Sequence, residues 1–430
     1  MTSSPPAAAG RAMHTIPIAD RPPHGPIASK ILFPLLMIVG LLGIASTTLL
    51  ATPLLLLPGK WGVSVMDMVV GFTKDGFGRL LIAIMVLFAP ATLHFTVDAP
   101  LDLVDLVERD GRGRVKRLNL PDRLVAIANH QAYTDWMYLW IMACYSGHAS
   151  GVVILLKYSL RKVPILGWGM QRFFRFIFMK RSWAADKGHL TEALSQLGHD
   201  ANITPDYDVI PLAPPPKRSP LWLLIFPEGT IASDEERVKS VKYAAREDTD
   251  DFVTMLHPRS TGLLFCLRAL LPHIPDLKLL DVTIGYQDVP FGKYPQDYYG
   301  LASIFYRSVP PPTVHIHLRL YSDLAAKSSP IPSLTSASVV SGGQVGMASS
   351  EEARAFELWL RGVWEKKEER LKQFCADQRF IGDGGDQAKE VVRVRQTSSV
   401  HWLSAVGGGG MFTLAIGLWS LRKIVGWWRL

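Results

Sequence analysis

Leu124-Val125-Ala126-Ile127-Ala128-Asn129-His130-Gln131-Ala132-Tyr133-Thr134-Asp135-Trp136 is the stretch around which the chain is organised. Its first five residues read as a buried strand, and the apolar run Met137 to Tyr145 that follows is long enough for a helix. His130 and Asp135 therefore fall at a strand-to-helix corner. On one continuous helix a separation of five is about 500°, which leaves the side chains roughly 140° apart and out of reach. They meet if His130 lies in the turn and Thr134 or Asp135 opens the helix as its cap. A carboxylate holding one imidazole nitrogen fixes the tautomer and leaves the other nitrogen as a general base for a hydroxyl, with no serine or cysteine nucleophile. The spacing alone is weak: with 12 histidines a chance match is expected, and a histidine at a strand end is commonly a structural hydrogen-bonding residue.

The totals frame this corner. A chain of 430 residues has room for one large domain or two smaller ones. Hydrophobic content is 48% and mean hydropathy is +0.16, which suggests membrane segments. The net charge of +8 suits anionic phospholipid surfaces or phosphate-bearing substrates. No helix is densely basic and no zinc or RNA-binding pattern is present, so nucleic acid is not an expected partner. Cys144, Cys266 and Cys375 are scattered and odd in number, which suggests neither a disulfide framework nor a metal knuckle.

In chain order, residues 1–29 are rich in Pro, Ala, Ser and Gly and read as disordered. Residues 30–100 read as a membrane-anchoring segment. Ile31 to Leu57 carries no charge and is long enough to span a bilayer, and Leu80 to Val97 is a second apolar run that spans or lies re-entrant or interfacial. Trp61 and Phe77 flank the interval as interfacial aromatics. Residues 101–327 alternate short apolar runs with amphipathic windows. The strands expected are Leu124–Ala128, Val152–Leu156, Phe176–Met179, Leu221–Phe226, Leu279–Tyr286 and Val314–Leu320. The helices expected are Trp136–Tyr145, Trp183–Leu197, Asp234–Arg246 and Thr261–Leu271. This is an α/β fold with a mixed, mostly buried sheet flanked by helices. Ser233 with Glu236 makes a capping box, and Gly198 to Pro220 reads as a surface loop. Residues 328–350 form a linker, 351–378 a charged amphipathic helix, 379–400 a flexible tail and 401–430 a third candidate membrane segment weakened by four consecutive glycines.

Three further stretches carry chemistry. Phe176-Ile177-Phe178-Met179-Lys180-Arg181 is a strand ending on two cations, and a guanidinium there takes an anionic oxygen in a fork. Leu223-Leu224-Ile225-Phe226-Pro227-Glu228-Gly229-Thr230 is an apolar strand running into a turn. Gly229 frees φ there, and Glu228 stands where a solvated carboxylate is not expected. In His257-Pro258-Arg259-Ser260-Thr261-Gly262, Ser260 or Thr261 can cap a helix, and two readings of Arg259 stand side by side: a cation facing the site, or incidental charge at a helix start. Ligands gather at the carboxyl ends of strands in open α/β sheets, and three strand ends here carry His-Asp, Arg and Glu-Gly.

Taken together these residues resemble the glycerolipid acyltransferases, the 1-acylglycerol-3-phosphate acyltransferase family. Asn129-His130 through Asp135 matches the His-x4-Asp box, Phe178-Met179-Lys180-Arg181 the second box and Phe226-Pro227-Glu228-Gly229-Thr230 the third. Pro275 to Tyr286 is similar to the fourth. His257 to Gly262, Asp281-Val282-Thr283 and Trp364-Glu365-Lys366-Lys367 resemble the eukaryotic branch with lysophosphatidate, lysophosphatidylinositol and lysocardiolipin acyltransferases. The resemblance implies that His130 deprotonates the free hydroxyl of a lysophospholipid acceptor and that Asp135 orients it. Acyl-CoA is then the donor and co-substrate, with neither cofactor nor metal required. Asn129, Lys180, Arg181, Glu228, Gly229, Thr230 and Arg259 would bind substrate, with Glu228 holding Arg181, Lys180 or a glycerol hydroxyl. A departure is the proline-rich insertion before the third box. The expected location is integral to the endoplasmic reticulum membrane, with the site and the N-terminus facing the cytosol. A CoA-independent transacylase and a non-catalytic lipid binder remain the alternative classes.

Overall fold

The computed structural model describes residues 12–56, 61–163, 166–172, 174–180, 182–202, 219–334, 348–383, 385 and 389–410. In chain order the elements are α1 (Ile27–Ala51), α2 (Trp61–Phe88), β1 (Thr92–Val97), α3 (Leu103–Leu106), β2 (Val107–Arg109), β3 (Val115–Leu118), β4 (Arg123–Ala128), α4 (Asp135–Ser146), β5 (Val152–Lys157), α5 (Leu166–Arg172), β6 (Ile177–Met179) and α6 (Trp183–Asn202). They continue as β7 (Leu221–Ile225), α7 (Asp234–Arg246), α8 (Ser260–Leu270), β8 (Lys278–Tyr286), β9 (Thr313–Tyr321), α9 (Ser350–Asp377), β10 (Glu390–Arg393) and α10 (Val400–Ser404).

Eight strands form one mixed sheet in the order β10-β1-β9-β8-β4-β7-β5-β6. The run β8-β4-β7-β5-β6 is parallel throughout, so the carboxyl ends of five strands share one edge. Strand β4 sits in the middle and alternates between two cores, with period two along the chain. Leu124, Ala126 and Ala128 pack with α2 and α4, whereas Val125 and Ile127 pack with α6, α8 and α9. The result is a sheet with helices on both faces, and all six expected strands lie in it.

Two expected membrane or flexible segments belong to this sheet instead. The run Leu80 to Val97 splits: Leu80 to Met85 end α2 inside the core, the helix stops ahead of Pro90, and Thr92–Val97 pairs in parallel with β9. The strand's own alternation, Thr92-Leu93-His94-Phe95-Thr96-Val97, is the period-two signal that the apolar end of α2 beside it obscured. The expected flexible tail supplies β10, antiparallel to β1. Phe77 is no interfacial aromatic. It is buried and packs against Trp136 and Trp140 of α4. Within the expected disordered N-terminus, Arg21 is buried and donates to Ser303 Oγ at 2.5 Å and to the Tyr298 carbonyl at 2.7 Å. Residues 198–202 of the expected surface loop are the end of α6, and residues 203–218 lie outside the described residues.

The one described helix long and apolar enough to cross a bilayer runs from Ile27 to Leu56. Its polarity is inverted relative to a surface helix. Ile31, Leu35, Ile38 and Leu42 are exposed, while the small residues Gly40, Gly43 and Ser46 are buried. Close helix approach in lipid uses small residues at the contact in this way. A Cβ on Gly40 would lie 2.6 Å from the Leu80 side chain of α2. Phe33 at the start of α1 meets Phe88 at the end of α2, so the two helices form an antiparallel hairpin with both ends against the sheet domain. The glycine run explains itself at the same contact: Gly407 and Gly408 have positive φ and press against Gly43 and Phe72. Residues 411–430 of the expected third membrane segment lie outside the described residues.

Gly78 of α2 faces α4, where a Cβ would lie 2.2 Å from Cys144 Sγ and 2.9 Å from the Trp140 indole. Gly78→Ala is therefore expected to overpack this interface and destabilise the fold by about 1–3 kcal/mol, read as a lowered thermal midpoint.

Candidate functional site

The corner after β4 is built as its residue order requires. Thr134 takes the N-cap position of α4 with no side-chain cap bond, and Asp135 is the first helical residue. Its carboxylate, fully buried, turns back over the corner. Oδ2 accepts the backbone N–H of Gln131 at 2.6 Å and of Ala132 at 2.9 Å, and lies 2.9 Å from His130 Nδ1. Oδ1 accepts the Tyr286 hydroxyl at 2.6 Å. With Asp135 as the acceptor, Nδ1 carries the proton and Nε2 presents its lone pair. Nε2 has no protein partner among the described residues. The imidazole, 17% exposed at its side chain, lies flat against Phe226 with ring centres 4.3 Å apart.

Neighbouring strands complete the frame. Asn129 is fully buried and continues the ladder from β4 to β8, donating to the Ile284 carbonyl at 2.9 Å and accepting the Ile284 N–H at 2.8 Å. It braces His130 and offers no surface to a ligand. Glu228, at the end of β7, is 2% exposed and points inward. Oε1 accepts the His130 backbone N–H and Oε2 that of Leu256, each at 3.0 Å. Of the expected partners of Glu228, Lys180 is excluded by its place three strands from β4, and the oxygens of Glu228 accept from these two backbone donors. Burial raises its pKa to about 8, opposed by those two N–H bonds and reinforced by the charge of Asp135. Gly229 has φ +75° and closes the turn onto the Phe226 carbonyl. The Arg259 side chain is exposed and lies beside Gly229, and its N–H bonds the Pro227 carbonyl. Thr230 is half-buried at the end of the same turn.

His130, Asp135, Asn129, Glu228, Gly229, Thr230 and Arg259 thus gather just beyond the ends of β4 and β7 and at the starts of α4 and α8. Lys180 stands apart at the end of β6, three strand spacings or about 14 Å from β4 across the sheet. Its N–H is capped by buried Asp186, and its ammonium lies over the Tyr158 ring. Arg181 lies outside the described residues. Neither Ser260 nor Thr261 caps α8, whose N-cap is Arg259. Ser233 accepts the Glu236 N–H as expected, whereas the complete capping box is Ser349 with Glu352 on α9. The contribution missed from sequence is Tyr286. Its position at the end of a strand parallel to β4 was the available signal.

A family model described as Acyltransferase matches residues 114–287, which contain every one of these side chains. The chain is 34% identical over 72% of its length to the 2-acyl-1-lysophosphatidylinositol acyltransferase of Saccharomyces cerevisiae, covering 76% of that protein. The chain belongs to the glycerolipid acyltransferase family. Lysocardiolipin acyltransferase 1 of Mus musculus is 30% identical over 65% of this chain and 64% of its own. A probable 1-acyl-sn-glycerol-3-phosphate acyltransferase of Arabidopsis thaliana is 27% identical over 62% and 57%. Family membership makes the chain an O-acyltransferase.

Two outcomes test this geometry. Tyr286→Phe removes one charged hydrogen bond of about 1.5–3 kcal/mol from Asp135 and is expected to lower the turnover rate at least about tenfold, measured as steady-state acyl transfer. Glu228 has its folded pKa raised from 4.5 to about 8, so its contribution to stability is fully present below 4.5 and is lost as pH rises to about 8. Glu228→Gln sets an amide against one of two N–H donors and does not titrate. The wild type's margin over that variant is therefore expected to shrink across this window in denaturant titrations.

Proposed function

We propose that the protein is an acyl-CoA-dependent O-acyltransferase that esterifies the free hydroxyl of a lysophospholipid in phospholipid synthesis or remodelling. Nε2 of His130 takes the proton of the acceptor hydroxyl as its oxygen attacks the thioester carbon. The carbon–sulfur bond breaks, CoA departs as a thiolate, and the imidazolium returns the proton to it. Asp135 holds the charge that the ring carries between these steps. The observation that carries this reading is the imidazole committed at Nδ1 to a buried, fully bonded carboxylate, with Nε2 open at the strand-end edge.

Arg181, Lys180 and Arg259 are the cations we assign to the acceptor's phosphate, with Gly229 and Thr230 at its glycerol. Lysophosphatidate, lysophosphatidylinositol and lysocardiolipin are the acceptor classes, and lysophosphatidylinositol is the first to test because of the 34% identical yeast relative. The exposed apolar face of α1 suits a membrane location. Acyl-CoA is a cytosolic metabolite, which supports placement at the endoplasmic reticulum with the site and residues 12–26 on the cytosolic face.

The experiment follows labelled acyl transfer in purified membranes. His130→Ala is expected to reduce transfer by about 10²- to 10⁴-fold, the usual contribution of a general base. Unchanged transfer overturns the reading. Transfer that persists with an intact phospholipid donor and no acyl-CoA identifies a transacylase instead.

A further inference from the structure

The segment Trp364-Glu365-Lys366-Lys367-Glu368 of α9 lies beyond the matched residues 114–287, yet it reaches both sets of groups that hold the catalytic corner. Glu365 and Lys366 are exposed, whereas Trp364 and Lys367 are fully buried. With Glu368 they stand at i, i+3 and i+4, one face of the helix. Lys367 Nζ lies 2.5 Å from Asp281 Oδ1 and donates to the Val282 carbonyl at 2.6 Å and to Thr283 Oγ1 at 3.1 Å. It ties α9 to β8 just before Ile284 and Tyr286, the partners of Asn129 and Asp135.

Glu368 reaches the other side. Oε1 accepts the Val253 N–H at 2.7 Å and the Thr254 N–H at 3.0 Å, and Oε2 accepts the Thr254 hydroxyl at 2.5 Å. It pairs with no cation among the described residues, so its charge is spent on a loop backbone. That loop then holds the corner twice. The Thr254 carbonyl accepts Gln131 Nε2 at 3.0 Å, and the Leu256 N–H binds Glu228, whose other oxygen holds the His130 N–H. From α7, Arg237 also grips the carbonyls of Val253 and Met255 at 3.0 and 2.7 Å.

We infer that Glu368 is a positioning residue for the acyl transfer, acting through the 253–256 backbone on Gln131 and Glu228 to set the place of His130. The inference rests on His130 being the base. A base displaced by an ångström loses rate, whereas Lys180 stands three strands away and Arg259, three residues after the loop, keeps its own backbone bond to the Pro227 carbonyl. The loss therefore falls on kcat and not on KM.

The test is steady-state acyl transfer by the full-length protein in membranes, with acyl-CoA and lysophosphatidylinositol varied in turn. Glu368→Ala is expected to lower kcat about tenfold or more with both KM values within about twofold of wild type and little change in thermal midpoint, and Glu368→Gln, which keeps an acceptor oxygen, recovers most of the rate. Gln131→Met cuts the same path at its far end and reports if Glu368→Ala fails to accumulate. It too is expected to lower kcat alone, and in the double variant the losses do not add. Wild-type kcat in these variants, or kcat losses that follow the thermal midpoint with no rescue by glutamine, overturns the inference. His130→Ala separates the two readings: if it transfers normally the base assignment fails, and if it is inactive while Glu368→Ala is normal only the role of Glu368 falls.

Discussion

A carboxylate with no exposed surface has to find all its partners inside the protein, and Asp135 finds four. Two are backbone N–H groups of its own turn, one is the imidazole it serves, and one is a tyrosine hydroxyl from another strand. Burying a charge is costly unless each lone pair is met, so this cluster forms complete or fails to form. It fixes the backbone of residues 130–132, the first turn of α4 and the end of β8 relative to one another. The direction of the His130 ring follows from that constraint, since only one nitrogen is left outside it.

Sheet topology makes the cluster attainable. Strands β4, β7 and β8 are parallel neighbours, so the residues that follow them emerge side by side at one edge. Asn129 extends the β4–β8 ladder past the last strand residue by imitating a backbone pair with Ile284. Glu228 does the corresponding work from β7 by accepting the His130 N–H. On each side of β4 one polar side chain, Asn129 from its own end toward β8 and Glu228 from β7, thus substitutes for the ladder where the chain leaves the sheet. The turn can then carry a histidine without losing its backbone bonds.

Much of this was legible in the chain because the decisive pairs are local. His130 and Asp135 are five residues apart, and strand, corner and helix follow from apolar runs and their lengths. Tyr286, the 253–256 loop and Glu368 were not legible, because the bonds from Tyr286 to Asp135, from Gln131 to Thr254 and from Val253 to Glu368 each cross more than 100 residues and depend on strand order that no local pattern encodes. Glu228 was placed correctly at a strand end, but its bonds to the His130 and Leu256 N–H groups were not foreseen, because they depend on which loops the fold brings beside β7. Strand β1 was hidden for a different reason. Thr92-Leu93-His94-Phe95-Thr96-Val97 alternates polar and apolar residues as a strand does, but it follows closely on the apolar end of α2 across Pro90, and the combined run reads as one apolar segment.

That continuity has a mechanical consequence. Helix α2 belongs at one end to the hairpin with α1 and at the other to the core, where Phe77 packs on Trp136 and Trp140. Trp136 is the neighbour of Asp135, so the helix that carries the carboxylate is wedged directly against the hairpin. A domain joined to an apolar anchor by a linker swivels, whereas one whose anchor ends inside its own core does not. The C-terminal glycines reinforce the joint by lying against α1 at Gly43 and Thr47, at a distance only glycine permits. The height and tilt of the edge that carries His130 relative to the apolar face of α1 are therefore set by packed side chains. On the function proposed above, an acceptor whose chains stay in a bilayer meets His130 at one depth, fixed by α2.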